Sequence, residues 1–181
     1  MEKKQVVVTG IGAVAAPGIG IDAIWKGLVD GPSGPGPHVI ENWDPEAIIP
    51  NRESRRLDRF TEFALVAADE AFKQAGDFVD DPNRVTVSVA TGIGGLESLE
   101  NLVNESQEDE PRVSPFLVPM MMANAAAAAI SIKYGFGGQA NTPVVACAAG
   151  SQSVLAGLRH LQWGYPDVAI VGGTAAAARK S

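Results

Sequence analysis

What this sequence has least of is cysteine, histidine and positive charge. A single cysteine, Cys147, excludes a disulfide framework, and two histidines, His38 and His160, leave too little ligand chemistry for a zinc site. Fourteen Lys and Arg against 21 Asp and Glu give a formal charge of −7, and a net negative chain rarely offers the clustered basic surface that nucleic acid demands. Long hydrophobic runs are missing too. The N-terminus, MEKKQVVVTG, carries three consecutive valines before a glycine, too few for a secretory apolar core. The uncharged stretch Pro115 to Ile130 (PFLVPMMMANAAAAAI) is too short for a bilayer, is interrupted by Pro119 and Asn124, and is followed by Lys133, so a buried helix is expected there and no membrane partner. What remains is globular and by default soluble and cytoplasmic. With 46% apolar content, 181 residues suffice for one domain, spanning 1–181, with its own core.

The apolar residues are arranged as short runs between glycines and as longer periodic stretches. Gln5 to Thr9 is a β-branched run closed by Gly10 and Gly12, which predicts a strand buried on both faces. Arg84 to Thr91, Pro143 to Cys147 and Asp167 to Val171 predict three more. Between them, Leu57, Phe60, Ala64, Ala67, Ala68, Ala71 and Ala75 keep the three-and-four spacing of one helix face, predicting a helix over 56–75 that stops at Gly76. Ser151, Val154, Leu155, Leu158 and Leu161 predict a second over 148–163, ended by Gly164 and Pro166. Strands alternating with helices predict an α/β fold around a largely parallel sheet. Gly31 to Pro37 reads as a turn-rich linker and Glu105 to Glu110 as a solvated acidic loop. Thr9-Gly10-Ile11-Gly12 is echoed by Thr91-Gly92-Ile93-Gly94, as two strands of one sheet ending in similar turns would be.

Two places could carry chemistry. Gly10-Ile11-Gly12-Ala13-Val14-Ala15 matches the relaxed dinucleotide fingerprint, but Pro17, Gly18 and Gly20 fall where the phosphate-binding helix should run, and a tight turn explains the glycines better. Cys147 lies in Val144-Val145-Ala146-Cys147-Ala148-Ala149-Gly150-Ser151. A lone cysteine at the end of an apolar strand is usually a small buried hydrophobe. If the strand ends there and a helix follows, however, the sulfur meets the positive end of a helix dipole, where thiols ionise more readily. The flanking Ala146, Ala148, Ala149 and Gly150 leave room for a substrate carbonyl, and the Cys147 N–H could point at its oxygen. On local pattern the inert and the nucleophilic readings both stand, since no base is visible nearby.

Seven segments in order then bring a family into view: VVVTGIGAVAAPG at Val6 to Gly18, IWKGL at Ile24 to Leu28, RRLDRFTEFAL at Arg55 to Leu65, ATGIGGLESLE at Ala90 to Glu100, RVSPFLVPMMMAN at Arg112 to Asn124, VVACAAGSQS at Val144 to Ser153 and DVAIVGG at Asp167 to Gly173. The chain resembles the N-terminal half of the β-ketoacyl-acyl carrier protein synthases, the elongating condensing enzymes of fatty-acid and polyketide synthesis. The resemblance implies a thiolase-like α/β half-fold with a mixed, mainly parallel sheet covered by helices, Cys147 as the acyl-accepting nucleophile, and Gly10 and Gly12 as structural turns. It aligns Met122 with a residue that shapes the acyl pocket and rotates to admit a longer chain, although Met120, Met121 and Met122 could each simply fill core gaps. It implies no cofactor of the chain's own, the acyl group arriving on the phosphopantetheine of an acyl carrier protein. The basic cluster Arg52, Arg55, Arg56 and Arg59 would face that acidic partner; with Glu53, Asp58 and Glu62 interleaved, a salt-bridged helix surface is the simpler expectation.

The resemblance also marks what this sequence lacks. Family members use two histidines and a lysine, in H-G-T and N-S-F-G-F-G-G contexts of a C-terminal half, to decarboxylate a malonyl donor. Neither motif occurs here; His38 lies in a Pro/Gly-rich stretch, His160 follows Cys147 by 13 residues, and Gly135 to Gly138 matches an ordinary loop. The family's Thr-Ala-Cys is Val145-Ala146-Cys147, and the stretch between Gly36 and Arg55 looks shortened. The expectation is therefore half of a condensing enzyme, completed as a homodimer or by a separate C-terminal half, with acyl transfer but no condensation from this chain alone. A non-catalytic assembly module, and a thiolase or simple acyltransferase, are the alternatives.

Overall fold

A computed structural model describes residues 4–31, 39–40, 43–106 and 113–176. The core is a three-stranded parallel sheet in the order β4 (Ala140–Asn141), β3 (Val85–Ala90), β5 (Val168–Gly173), with β3 and β5 in register from Val85 opposite Val168 to Ala90 opposite Gly173. All six residues of β3 are buried, and its sequence, VTVSVA, shows how. Side chains alternate across a strand. Val87 and Val89 face a cluster built from α3 (Arg59–Ala75) and α6 (Ala125–Tyr134), while Ser88 points the other way to Ser153 of α7 (Ala149–Trp163).

That second face is polar yet satisfied. The Ser153 hydroxyl donates to the Ser88 carbonyl and accepts the Gly172 N–H at 3.0 Å, so one buried oxygen ties α7 to both β3 and β5. Gly157 lets the helix sit close, since a Cβ there would lie 2.3 Å from Val171 Cγ1. On the opposite face, Ala126 and Ala127 are fully buried, and their small side chains bring α6 near both α3 and β3. At the sheet's lower edge Arg84 pairs with Asp167 and holds that exposed carboxyl below the usual carboxylate range.

The long helices stand close to the sequence expectation. The first, expected over 56–75, begins three residues later because Asp58 is its N-cap, accepting the Phe60 N–H at 3.2 Å. The second is α7, at 149–163. The stretch from Pro115 to Ile130 is instead broken into α5 (Leu117–Met121) and α6 by extended backbone at Met122, and only Ala126, Ala127 and Ile130 of it are buried. No helix among the described residues is long and apolar enough to cross a membrane. Most of the Gly31–Pro37 linker, the residues from 107 of the acidic loop, and His38 lie outside the described residues.

Two expected strands are corrected. Gln5 to Thr9 joins no ladder, and Val7 and Val8 are 75% and 82% exposed. Downstream, α3 side chains take the backbone donors: Gln74 accepts from Ile11 at 2.7 Å and Glu70 accepts from Ala13 and Ile21 at 2.9 and 2.8 Å. The run therefore lies beside β5 across an apolar cleft of about 290 Å³ rather than against it. In place of the helix that a dinucleotide fold would start after Gly12, the chain makes a small antiparallel hairpin, β1 (Val14–Ala15) with β2 (Gly18–Ile19), and only then α1 (Ile21–Asp30), with the one-turn α2 (Asn51–Ser54) standing before α3. Gly10 and Gly12 are required by packing: a Cβ would lie 2.1 Å from the Ala71 carbonyl oxygen or 2.0 Å from that of Ala67. The strand expected over 143–147 is reduced to a single bridge, Val144 to Thr91, beyond the short β4.

Candidate functional site

That reduction is what shapes the surroundings of Cys147. Pro143 still accepts the Thr91 N–H at 3.3 Å, but the chain then leaves the extended region and coils into a 3₁₀ turn over Ala146–Ala148. Ala146 has φ +50°, the positive φ of a non-glycine residue among those described, a conformation that costs about 1 kcal/mol or more. Cys147 is thus carried on a tight turn rather than at a strand end, and it is exposed. The buried-hydrophobe reading of this cysteine is thereby removed.

The turn leads directly into α7, whose N-cap is Ala148 with no capping side chain. The Ala149 N–H is taken by the Ala146 carbonyl, and the end of the helix carries partial positive charge, which favours an anion nearby. The beginning of α7 is seated on the C-terminal end of β5, where a Cβ on Gly173 would lie 2.9 Å from Gly150 Cα. Cys147 therefore emerges at the carboxyl end of the parallel strands, the edge at which open α/β sheets place ligands.

The wall beside it is the loop Thr91–Gly95 that follows β3. A Cβ on Gly92 would touch Ala146 at 3.9 Å, and Gly94, with φ +89°, donates to the Thr91 hydroxyl at 3.2 Å. Further along, Gly95 donates to the Met121 carbonyl at 3.2 Å. The loop thus bridges the two residues that the resemblance singles out, meeting the Cys147 turn at one end and the methionine run at the other. Met122 itself ends α5 and is 46% exposed, so it fills no core gap.

The basic cluster is not the salt-bridged surface expected. Among the described residues no ion pair joins Arg52, Arg55 or Arg56 to a carboxylate. Two of the interleaved acids are used inside, Asp58 on helix termini and Glu62 accepting from Trp43 Nε1 at 2.8 Å and from the Ser54 hydroxyl, while Glu53 is exposed. Arg56 lies over the Phe116 ring at 4.5 Å, and Arg59 lies 5.5 Å over Phe63. His160 packs with Trp163 and Tyr165 at the far end of α7, about 20 Å along the helix from Cys147. Gly135 to Gly138 form the α6–β4 connection, with Phe136 in an aromatic cluster with Phe72 and Tyr134.

Sequence reasoning missed α1, the hairpin, α4 (Leu96–Glu105) and, at the site, Asp58 and Ser98. A signal for Asp58 was available, since an Asp one residue before a periodic stretch is a helix N-cap pattern.

Comparison with known proteins gives this geometry a family. Residues 40–181 match the family model described as β-ketoacyl synthase, N-terminal domain. The 3-oxoacyl-[acyl-carrier-protein] synthase 2 of Synechocystis sp. (strain ATCC 27184 / PCC 6803 / Kazusa) is 37% identical over 98% of this chain and 47% of its own length; that of Staphylococcus aureus (strain N315) is 35% identical over 97% and 46%. The chain thus spans about half the length of the curated relatives it matches. Among solved structures, a type II polyketide synthase acyl-carrier protein in complex with its ketosynthase is similar with a TM-score of 0.76 at 26% identity, over 92% of this chain and 49% of that one. The ishigamide ketosynthase/chain length factor gives a TM-score of 0.79 at 23% identity, over 95% and 53%, a likeness of fold. With its thiolase-like α/β architecture, the chain belongs to the β-ketoacyl synthase family and carries that family's N-terminal domain.

Proposed function

We propose that this chain provides the acyl-accepting half of a β-ketoacyl synthase site, taking an acyl group from an acyl carrier protein thioester onto Cys147. The observation that carries the reading is the turn: an exposed thiol, displayed by a strained Ala146, at an uncapped helix N-terminus. The Cys147 sulfur attacks the thioester carbonyl, and a new Sγ–carbon bond forms as the bond to the carrier's phosphopantetheine sulfur breaks. The thiol proton leaves with that sulfur. The Cys147 N–H and the positive helix end offset the charge that develops on the carbonyl oxygen in this reading.

Arg52, Arg55 and Arg56, exposed and without carboxylate partners among the described residues, suit an acidic carrier protein. Decarboxylation of a malonyl donor needs the two histidines and the lysine that the family carries in its other half, and neither motif stands in this sequence. A separate C-terminal half would supply them, and the exposed Val154, Leu158 and Val171 offer that half, or a second copy pairing in its place, an apolar surface.

Intact-mass measurement after incubation with an acyl-carrier thioester tests the first step. The wild-type chain should gain one acyl mass and Cys147→Ala none; equal masses would overturn the reading and favour a non-catalytic module. No carbon dioxide should be released from malonyl thioester by the chain alone.

A further inference from the structure

We infer that Asp58 is a positioning residue that holds the Thr91–Gly95 loop, and with it the wall between Cys147 and the methionine run. This inference rests on the reading of Cys147 as the acyl acceptor. Asp58 is only 3% exposed, and a carboxylate that deep is costly unless its oxygens are bonded. Among the described residues it makes no ion pair: the guanidinium of neighbouring Arg59 turns to the Ile40 carbonyl and the Phe63 ring. Its partners are instead the N-termini of two helices. One oxygen accepts the Phe60 N–H at the start of α3; the other accepts the Ser98 N–H at 2.9 Å and the Ser98 hydroxyl at 2.7 Å.

Ser98 is the third residue of α4, the position whose N–H an N-cap side chain normally takes. The residue at the α4 cap is Gly95, which has no side chain. It cannot acquire one, since a Cβ would lie 2.6 Å from the Met120 carbonyl oxygen, 2.7 Å from Met121 Cα and 2.9 Å from Asp58 Oδ2. The backbone must pass so close to α5 that the cap is supplied from another helix. One carboxylate therefore sets α3 against α4, and α4 sets the loop, whose Gly95 is bonded to Met121 and whose Gly92 lies beside Ala146. Substitution by Asn cannot reproduce this, because the amide presents an acceptor to one helix terminus and its NH₂ to the donors of the other.

The test uses the full chain with Asp58→Asn, Ser98→Ala and Ser98→Thr. Two quantities are read: backbone hydrogen exchange, and the ratio of Cys147 acylation rates with octanoyl and acetyl pantetheine thioesters, set against alkylation by iodoacetamide. In Asp58→Asn and Ser98→Ala, amides of residues 94–98 and 120–122 should exchange faster while those of β3 and α7 keep their protection. The octanoyl-to-acetyl ratio should change by about tenfold in Asp58→Asn, the equivalent of one charged hydrogen bond, with alkylation unchanged. Ser98→Thr, which keeps the hydroxyl, should behave as wild type. A purely stabilising role would lower the melting temperature and leave the ratio and the local exchange pattern alone, and that outcome overturns the inference, as would Asp58→Asn matching wild type. Should the wild-type chain accept no acyl group, the reading of Cys147 fails by itself, and the exchange pattern still decides for or against the Asp58 link.

Discussion

Two segments of this chain are written almost alike and behave differently. Val6 to Gly12 reads VVVTGIG and Val87 to Gly94 reads VSVATGIG, each a β-branched run closed by Thr-Gly-Ile-Gly. The second is the central strand, buried throughout, with its glycine loop beside the Cys147 turn; the first carries exposed valines and forms no ladder. What separates them is neighbours. Val87 and Val89 have α3 and α6 above them and strands on both sides, whereas the N-terminal run is anchored at its glycines and faces β5 only across a cleft. Strand propensity is a fit to a half-buried surface, and it takes effect where such a surface exists.

The glycines repeat the contrast and provide the sharpest way to break it. In Gly10→Ala the new methyl meets the Ala71 carbonyl oxygen at 2.1 Å, so α3 or the loop must move, at a cost of about 3 kcal/mol. At the matching Gly92 the nearest atoms are 3.9 Å away and φ is not positive, so Gly92→Ala should stay within about 0.5 kcal/mol of wild type. Urea unfolding of both variants checks this; equal losses would mean that the two turns are constrained alike. A smaller effect is expected from the valines. Val87→Ala should cost about 2 kcal/mol through lost burial and a residual cavity, and Val7→Ala no more than about 0.5. A large loss at Val7 would show that the N-terminal run closes on the sheet in solution.

The smallest effect is a change of slope with pH, and it reports on the layer above β3. Burial, then the neighbouring Asp69 charge, pushes the Tyr134 phenol up from 10.0 to about 12. Because the folded chain holds this proton more tightly, the associated stability is complete below pH 10 and is lost as pH rises toward 12. Tyr134→Phe should therefore flatten the alkaline limb of the stability profile between about pH 10 and 12, and Val7→Ala should leave that limb unchanged. Melting temperature against pH is the measurement.

How much was legible follows from the same contrast. Helices α3 and α7 could be read to within a few residues, because their periodic apolar faces are matched by a real core and their stops, Gly76 and Gly164, are local signals. The strands β3 and β5 were legible for the same reason. The N-terminal strand was not, because nothing in Val6 to Val8 says whether a partner strand will lie within bonding distance. At the site, a sharp turn carrying Cys147 into a helix could be anticipated but its conformation could not, since Ala146 gives no hint that it will adopt a positive φ. Asp58 was hidden by its setting: among four arginines it looks like a surface acid, and only the three-dimensional arrangement shows that its partners are backbone donors from two helices.

The Ser153 hydroxyl, bonded to two strands at once, turns a distance along the chain into a register. It lies six positions after Cys147, and each residue added to a helix rotates what precedes it by about 100°. With α7 pinned at Ser153, a one-residue insertion between the two would swing the sulfur to another side of the helix axis, away from the Gly92 loop. The interval, more than the identity of the small residues filling it, sets where around the α7 axis Cys147 stands.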